Sequence, residues 1–167
     1  MTPASLLIDA FDRILQGGLA VVDGLDDDTL TDRPSPDANT IAGLVWHLAR
    51  VQDEHVAGVA GRDQVWTSQG YAERFALPLD PEDYGYGHTS DQVAAVRASA
   101  DLLADYLGAV HGRTVEYVAG LTEADLDSVV NERWDPPVTL GVRLVSVVGD
   151  DLQHLGQAAY VRGLLES

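Results

Sequence analysis

Cysteine and lysine are both missing from this chain of 167 residues. Without cysteine there is no disulfide framework, no thiolate metal site and no cysteine nucleophile, so any thiol chemistry needs a thiol brought in from outside. Without lysine there is no amine for a Schiff base. Arginine is the only strong base, with 10 copies against 27 acids, and the formal net charge is −17 at pH 7. A surface of that sign repels phosphate backbones, which excludes nucleic acid as an expected partner. No stretch approaches the ~20 apolar residues that cross a bilayer. The opening MTPASLLIDAFDR carries Asp9 and Asp12 and no basic n-region, so no signal peptide is expected and the chain reads as cytoplasmic. Strand-like alternation, internal repeats and low-complexity tracts are absent too. The GYGH stretch lacks the strand–turn–helix setting of a phosphate loop, and no serine sits in a nucleophile elbow.

What is there is helical. Hydrophobic residues make up 46% of the chain, enough for one domain over 1–167 with its own core. A first helix is expected after Thr2 as N-cap and Pro3 at the first helical position, with Leu7, Phe11, Ile14, Val21 and Leu25 near helical spacing. Gly17-Gly18 is expected to weaken and bend it. A second helix starts after Asn39-Thr40, buries Ile41, Leu44, Leu48, Val51 and Val59, and ends near Gly58 and Gly61. A third begins after Thr89, with Gln92 completing a capping box, and buries Val93, Val96, Ala100, Leu103, Leu107 and Val110. A fourth runs from Leu140 to about Leu165 with Thr139 as its cap. Asp26–Asp28 reads as a loop and helix start. Residues 62–88 form a long connection carrying Tyr71, Phe75, Tyr84 and Tyr86, of a length that is usually functional or holds short elements. Residues 120–137 form a second connection with one short helical turn after Thr122. The expected fold is all-α, a four-helix bundle with a long crossover between helices two and three.

Polar residues interrupt two of the apolar faces. Asp150 and His154 lie one turn apart on the fourth helix and share a face. Asp151 beside them reads as a solvated neighbour. His47, between Leu44, Leu48 and Val51, points to the core side of the second helix. Together His47, Asp150 and His154 would converge three ligands inside a bundle, a set that suits Zn²⁺, Ni²⁺, Mn²⁺ or Fe²⁺ and leaves coordination positions open. The same spacing also suits an ordinary hydrogen-bonded Asp–His pair. Glu54 and His55, seven and eight residues after His47, are the candidates for proton transfer beside such a site, with boundary or surface placement as the alternative. Gln157, seven after Asp150, is positioned to orient a ligand or water. His88 and His111 read as surface histidines, and Trp46 and Trp66 as packing residues.

NTIAGLVWHLARVQDEH, followed about a hundred residues later by VTLGVRLVSVVGDDLQHLGQAAYVRG, resembles the DinB-like superfamily, which includes the mycothiol- and bacillithiol-dependent transferases. The resemblance covers most of the chain and is sharpest at the second and fourth helices. It implies an up-down-down-up bundle and a divalent metal held by His47, by His154 in its His-x-Gly-Gln context, and by Asp150 where relatives carry His or, in the branch like mycothiol-dependent maleylpyruvate isomerase, Glu. Aspartate keeps the donor type but is shorter by roughly one carbon–carbon bond, about 1.5 Å, so the backbone has to approach the ion more closely or a water has to bridge. The implied activity is a metal-dependent thiol S-transferase or isomerase that uses an external low-molecular-weight thiol, mycothiol or a similar one, on an electrophilic small molecule. A metal-dependent hydrolase and a non-catalytic binding module with a degenerate site are the other readings. A homodimer is a further expectation from the resemblance.

Overall fold

A computed structural model describes residues 1–166. Its four long helices are α1 (Pro3–Val22), α3 (Ile41–Ala60), α7 (Ala100–Ala119) and α8 (Leu140–Leu165). Shorter helices fill the connections: α2 (Asp27–Thr31), α4 (Val65–Ser68), α5 (Tyr71–Phe75) and α6 (Ser90–Ala95). The starts are set by side-chain caps. Thr2, Asp26, Thr40, Thr89, Ser99 and Thr139 each accept a backbone N–H of the first turn that the helix itself leaves unpaired. α3 ends where Gly61 adopts φ 62°, a left-handed conformation that costs glycine nothing.

The expected third helix is in fact two. Residues 96–99 leave the helix, and Ser99 caps a new start at Leu102 N. The apolar spacing from Val93 to Leu103 runs through this break because Val96 packs into the core from the non-helical segment as well. A short antiparallel pair, β1 (Val129–Asn131) with β2 (Val138–Thr139), closes the second connection after a 3-10 turn at Ala124–Asp127. Strands of two or three residues are too short to show alternation in a sequence. α1 runs unbroken through Gly17-Gly18. A Cβ on Gly18 would lie 2.3 Å from Leu107 Cδ2, and one on Gly17 would lie 2.5 Å from Leu155 Cδ2, so these glycines let α1 approach α7 and α8 closely.

Each of α1 and α3 packs on both α7 and α8. Arg162 near the end of α8 donates to the carbonyls of Ala20 (2.9 Å), Val21 (3.2 Å) and Asp23 (3.0 Å) at the end of α1, so α1 and α8 run the same way. Gln52 of α3 donates to Thr114 of α7 at 2.8 Å and Tyr117 reaches Val59 O at 3.5 Å, so α3 and α7 also run together, opposite to the first pair. The core between them is Phe11 and Ile14, Leu44 and Leu48, Leu103 and Leu107, Leu144 and Val147, all buried. No helix among the described residues is long and apolar enough to cross a membrane.

A buried polar cluster fastens the long connection to this core. Asp53 on α3 accepts from the backbone N–H of Val65 (2.9 Å) and Trp66 (2.8 Å) and from the Tyr106 hydroxyl (2.8 Å). Arg50 donates to Gln64 Oε1 at 2.7 Å and to Asp83 O at 3.3 Å, and stacks over the Trp66 ring with its Cζ 4.8 Å from the centroid. Each bond is worth about 1 kcal/mol net, but leaving one such partner buried and unpaired costs roughly 1–3 kcal/mol. The connection is therefore held at two points, residues 64–66 and Asp83, and the segment that follows Asp83 is delivered to a fixed place. Trp46 and Trp66 pack in the core as expected.

Candidate metal centre

α3 and α8 are antiparallel neighbours, so an early residue of α3 faces a late residue of α8. His47 and His154 meet on that seam with ring centroids 4.6 Å apart and planes at 78°. Asp150, one turn before His154, places Oδ1 at 3.6 Å from His154 Nε2. One donor atom from each of His47, Asp150 and His154 lies within 4.8 Å of the others, compact enough to surround a single ion.

Each imidazole is oriented by a partner on its far nitrogen. His47 Nδ1 lies 2.5 Å from the carbonyl oxygen of Tyr84, which takes its N–H and leaves Nε2 with a free lone pair. His154 Nδ1 lies 3.1 Å from Gln157 Oε1, which does the same for that ring. Such partners on the outer nitrogen fix the tautomer a metal ligand needs. Burial holds the His47 pKa below the ordinary histidine value, with the Tyr84 carbonyl pulling the other way, so the ring is neutral and available as a donor. The Asp150 side chain is 39% exposed, but its Oδ2 is shut off from solvent and has no hydrogen-bond partner among the described residues. A buried carboxylate oxygen without a donor is costly, and a cation between the two imidazoles would satisfy it. The residues present therefore fit a divalent metal, and the shorter aspartate still brings its carboxylate to the cluster.

The three side chains open into a cavity of about 320 Å³ whose other walls include Trp46, Gly85, Tyr86, His88, Val93 and Val96. His88 is not a surface residue: its side chain is 8% exposed, it stacks on Trp46 with centroids 5.9 Å apart, and Nε2 pairs with Asp83 Oδ2 at 2.9 Å. His111 is likewise tucked in, with Nε2 2.7 Å from Asp12 Oδ1. Gly85 was not singled out by the sequence, yet it has φ +93°, and a Cβ there would stand 2.6 Å from His47 Nδ1. Only the glycine-rich spelling of DYGYGH hinted at it. Glu54 and His55 lie elsewhere: both line a neighbouring open cleft, and Gln64 Nε2 donates to Glu54 Oε2. Asp151 corrects the reading of it as solvated. It is fully buried, and both of its carboxylate oxygens lack a hydrogen-bond partner among the described residues.

An all-α bundle with a His/Asp/His cluster on the seam of its second and fourth long helices defines the class of protein: a helical bundle with an inward-facing candidate metal centre. The family model for mycothiol S-transferase matches residues 6–167, and the chain belongs to that family. A crystal structure described as the conserved protein of a locus from Enterococcus faecalis superimposes with a TM-score of 0.93 at 34% sequence identity, over 99% of this chain and 98% of that one. No curated protein matches the chain.

Proposed function

We propose that the chain is a metal-dependent thiol S-transferase that joins an external low-molecular-weight thiol, mycothiol or one like it, to an electrophilic small molecule. The observation that carries this is the convergence of His47, Asp150 and His154 on a cavity large enough for a small substrate, in a member of this family. The absence of cysteine agrees with it, since the nucleophilic sulfur then has to come from the co-substrate.

His47, Asp150 and His154 would hold Zn²⁺, Ni²⁺, Mn²⁺ or Fe²⁺. When bound, the cation supplies Lewis acidity that lowers the thiol pKa so that thiolate is present at neutral pH. The chain does the rest by placement. The Tyr84 carbonyl and Gln157 keep the two rings in their donor tautomers. The packed wall of Trp46, Val93 and Val96 keeps bulk water from that side of the cavity. In the net reaction the sulfur gains a bond to the electrophilic carbon, the leaving group departs with its electron pair, and the thiol proton passes to solvent.

Elemental analysis of purified protein, followed by mycothiol conjugation to a haloacetamide with and without chelator, tests the proposal. Self-labelling of a protein thiol cannot confuse the assay in a chain without cysteine. One ion per chain and chelator-sensitive conjugation are expected, both lost in His154→Ala. Full conjugation by the chelated protein, or by His154→Ala, sinks the reading. Turnover of an ester without any thiol would favour the hydrolase instead.

A further inference from the structure

Arg143 stands on α8 seven residues before Asp150, half-buried, in a chain where acids outnumber bases 27 to 10. Among the described residues no carboxylate oxygen lies within 4.0 Å of its guanidinium. Other partly or fully buried arginines are consumed by partners: Arg50 by Gln64 and Asp83, Arg33 by Pro36 and Ser90, Arg162 by Glu166 and the end of α1. Arg143 has instead the ring of His55, with its terminal nitrogen 3.5 Å from Nδ1. Burial first, and then the Arg143 charge, hold His55 below the ordinary histidine pKa. A neutral imidazole that faces a guanidinium through one nitrogen keeps an N–H on the other. Two donor groups, one of them permanently charged, are thus gathered with only the long contact to His55 Nδ1 and no carboxylate on the guanidinium among the described residues.

They border an open cleft of about 360 Å³ together with Glu54, Gly58, Val59 and Val130. Glu54 shares the cleft and its charge reaches His55, but its Oε2 accepts from the Gln64 amide and it makes no ion pair with the guanidinium. Val59 and Val130 add apolar surface to the lining of the cleft. Tyr84 touches a residue of each site: its carbonyl holds His47 while its ring lies 6.3 Å from the His55 ring. Along α8 the two sites are separated by seven residues, about 10 Å of helix axis.

We infer that the Arg143–His55 cleft is the subsite for a carboxylate on the electrophilic substrate, with an apolar spacer over Val59 and Val130 and the reactive carbon in the His47/Asp150/His154 cavity; this rests on the transferase reading above. The guanidinium fork matches a carboxylate in two parallel bonds, and a ligand carboxylate supplies the anionic acceptor that no described residue places on it. On a surface of net charge −17 most positions repel an anion, so a half-buried cation that makes no ion pair among the described residues selects both the place and the orientation of binding.

The test uses the full metal-loaded chain, mycothiol, and two electrophiles of matched shape: para-(bromoacetamido)benzoate and para-(bromoacetamido)benzamide. The wild type is expected to favour the benzoate about tenfold in kcat/KM, the worth of one charge-assisted hydrogen bond. Arg143→Gln should bring the benzoate down to the benzamide level, mostly through KM. Gly58→Leu provides a second route, since a side chain added there meets nothing within 4 Å of its Cβ and would fill the cleft without disturbing the helix. It should weaken the benzoate as well. Equal use of both electrophiles by the wild type, or a preference that survives Arg143→Gln, overturns the inference. A binding arm separates it from the transferase reading: the unreactive para-acetamidobenzoate is titrated while the His55 imidazole NMR signals are followed in the Zn²⁺-loaded protein. If neither electrophile reacts with thiol but the signals move in the wild type and not in Arg143→Gln, the transferase reading falls and the anion subsite stands. Signals that stay still in both, or move equally in both, remove the subsite.

Discussion

Asp150 and Asp151 are neighbours in sequence and about 100° apart around α8, and that angle decides what each does. Asp150 turns to the α3 seam, with Oδ1 3.6 Å from His154 Nε2 and Oδ2 without a partner among the described residues. Asp151 falls on the stripe of Leu144, Val147 and Ala158 and is fully buried, so burial, helped by the charge of Asp150, pushes its carboxyl far above the usual carboxylate range. The spacing of that stripe was present in the sequence. A doublet of identical acids hides which one carries the phase, and polar type outweighed position in reading Asp151 as solvated. At Asp150 the structure argues for a ligand. Asp150→Asn keeps the volume and removes the charge. Outer-sphere partners of metal ligands typically cost 10–100-fold in affinity when lost, so a direct donor should cost at least about tenfold. Competition against a chromophoric chelator measures this. Unchanged affinity would mean that the two histidines bind the ion without the carboxylate.

At the scale of elements, the candidate ligand set was legible because it sits on periodic helices, where spacing alone says which residues share a face. His47, Asp150 and His154 needed only two helices to be neighbours. The loop around Asp83–His88 was not legible, because its position depends on anchors far away in sequence: Arg50 on Asp83 O, and Asp53 on Val65 and Trp66. Asp83 then shapes the loop from within, accepting from Gly85 N at 2.7 Å and pairing with His88. The helix break at residues 96–99 escaped for a related reason: Arg97 and Ala98 are good helix formers and the apolar spacing runs through it, while the local signal was Ser99, which caps the new start at Leu102 N. Gly85 is the point at which loop and metal site meet. Gly85→Ala should be expensive twice over: a left-handed conformation costs a non-glycine residue roughly 1–2 kcal/mol, and the new methyl would press on the His47 ring. The expected result is loss of metal loading by elemental analysis with helical circular dichroism retained. Wild-type loading in Gly85→Ala would show that the loop does not position His47.

For the whole molecule the governing quantity is net charge. Fold class and the absence of membrane-length helices could be read from composition and periodicity, but stability against self-repulsion depends on how many acids find partners. The ion pairs of Arg13–Asp9, Arg62–Glu116, Arg74–Asp105 and Arg113–Glu116 are all substantially exposed, and exposed pairs contribute about 0–1 kcal/mol each. Salt acts on both signs of interaction. It weakens these few attractions, and it screens the repulsion among acids that outnumber the bases 27 to 10. Screening shortens the reach of a surface charge from about 8 Å at 0.15 M salt to about 3 Å at 1 M, and with so lopsided a count the lost repulsion outweighs the lost attraction. The melting temperature of the metal-free protein should therefore rise as sodium chloride is raised over that range, by several degrees. Chloride is preferred to sulfate because sulfate strengthens burial by exclusion from the surface. The measurement belongs well above the ordinary histidine value of 6.5, where His47 and His55, both lowered by burial, are neutral in folded and unfolded chains alike and add no slope of their own. A melting temperature that falls with sodium chloride would show that the scattered surface pairs, and not the excess of acids, dominate the electrostatics of the folded state.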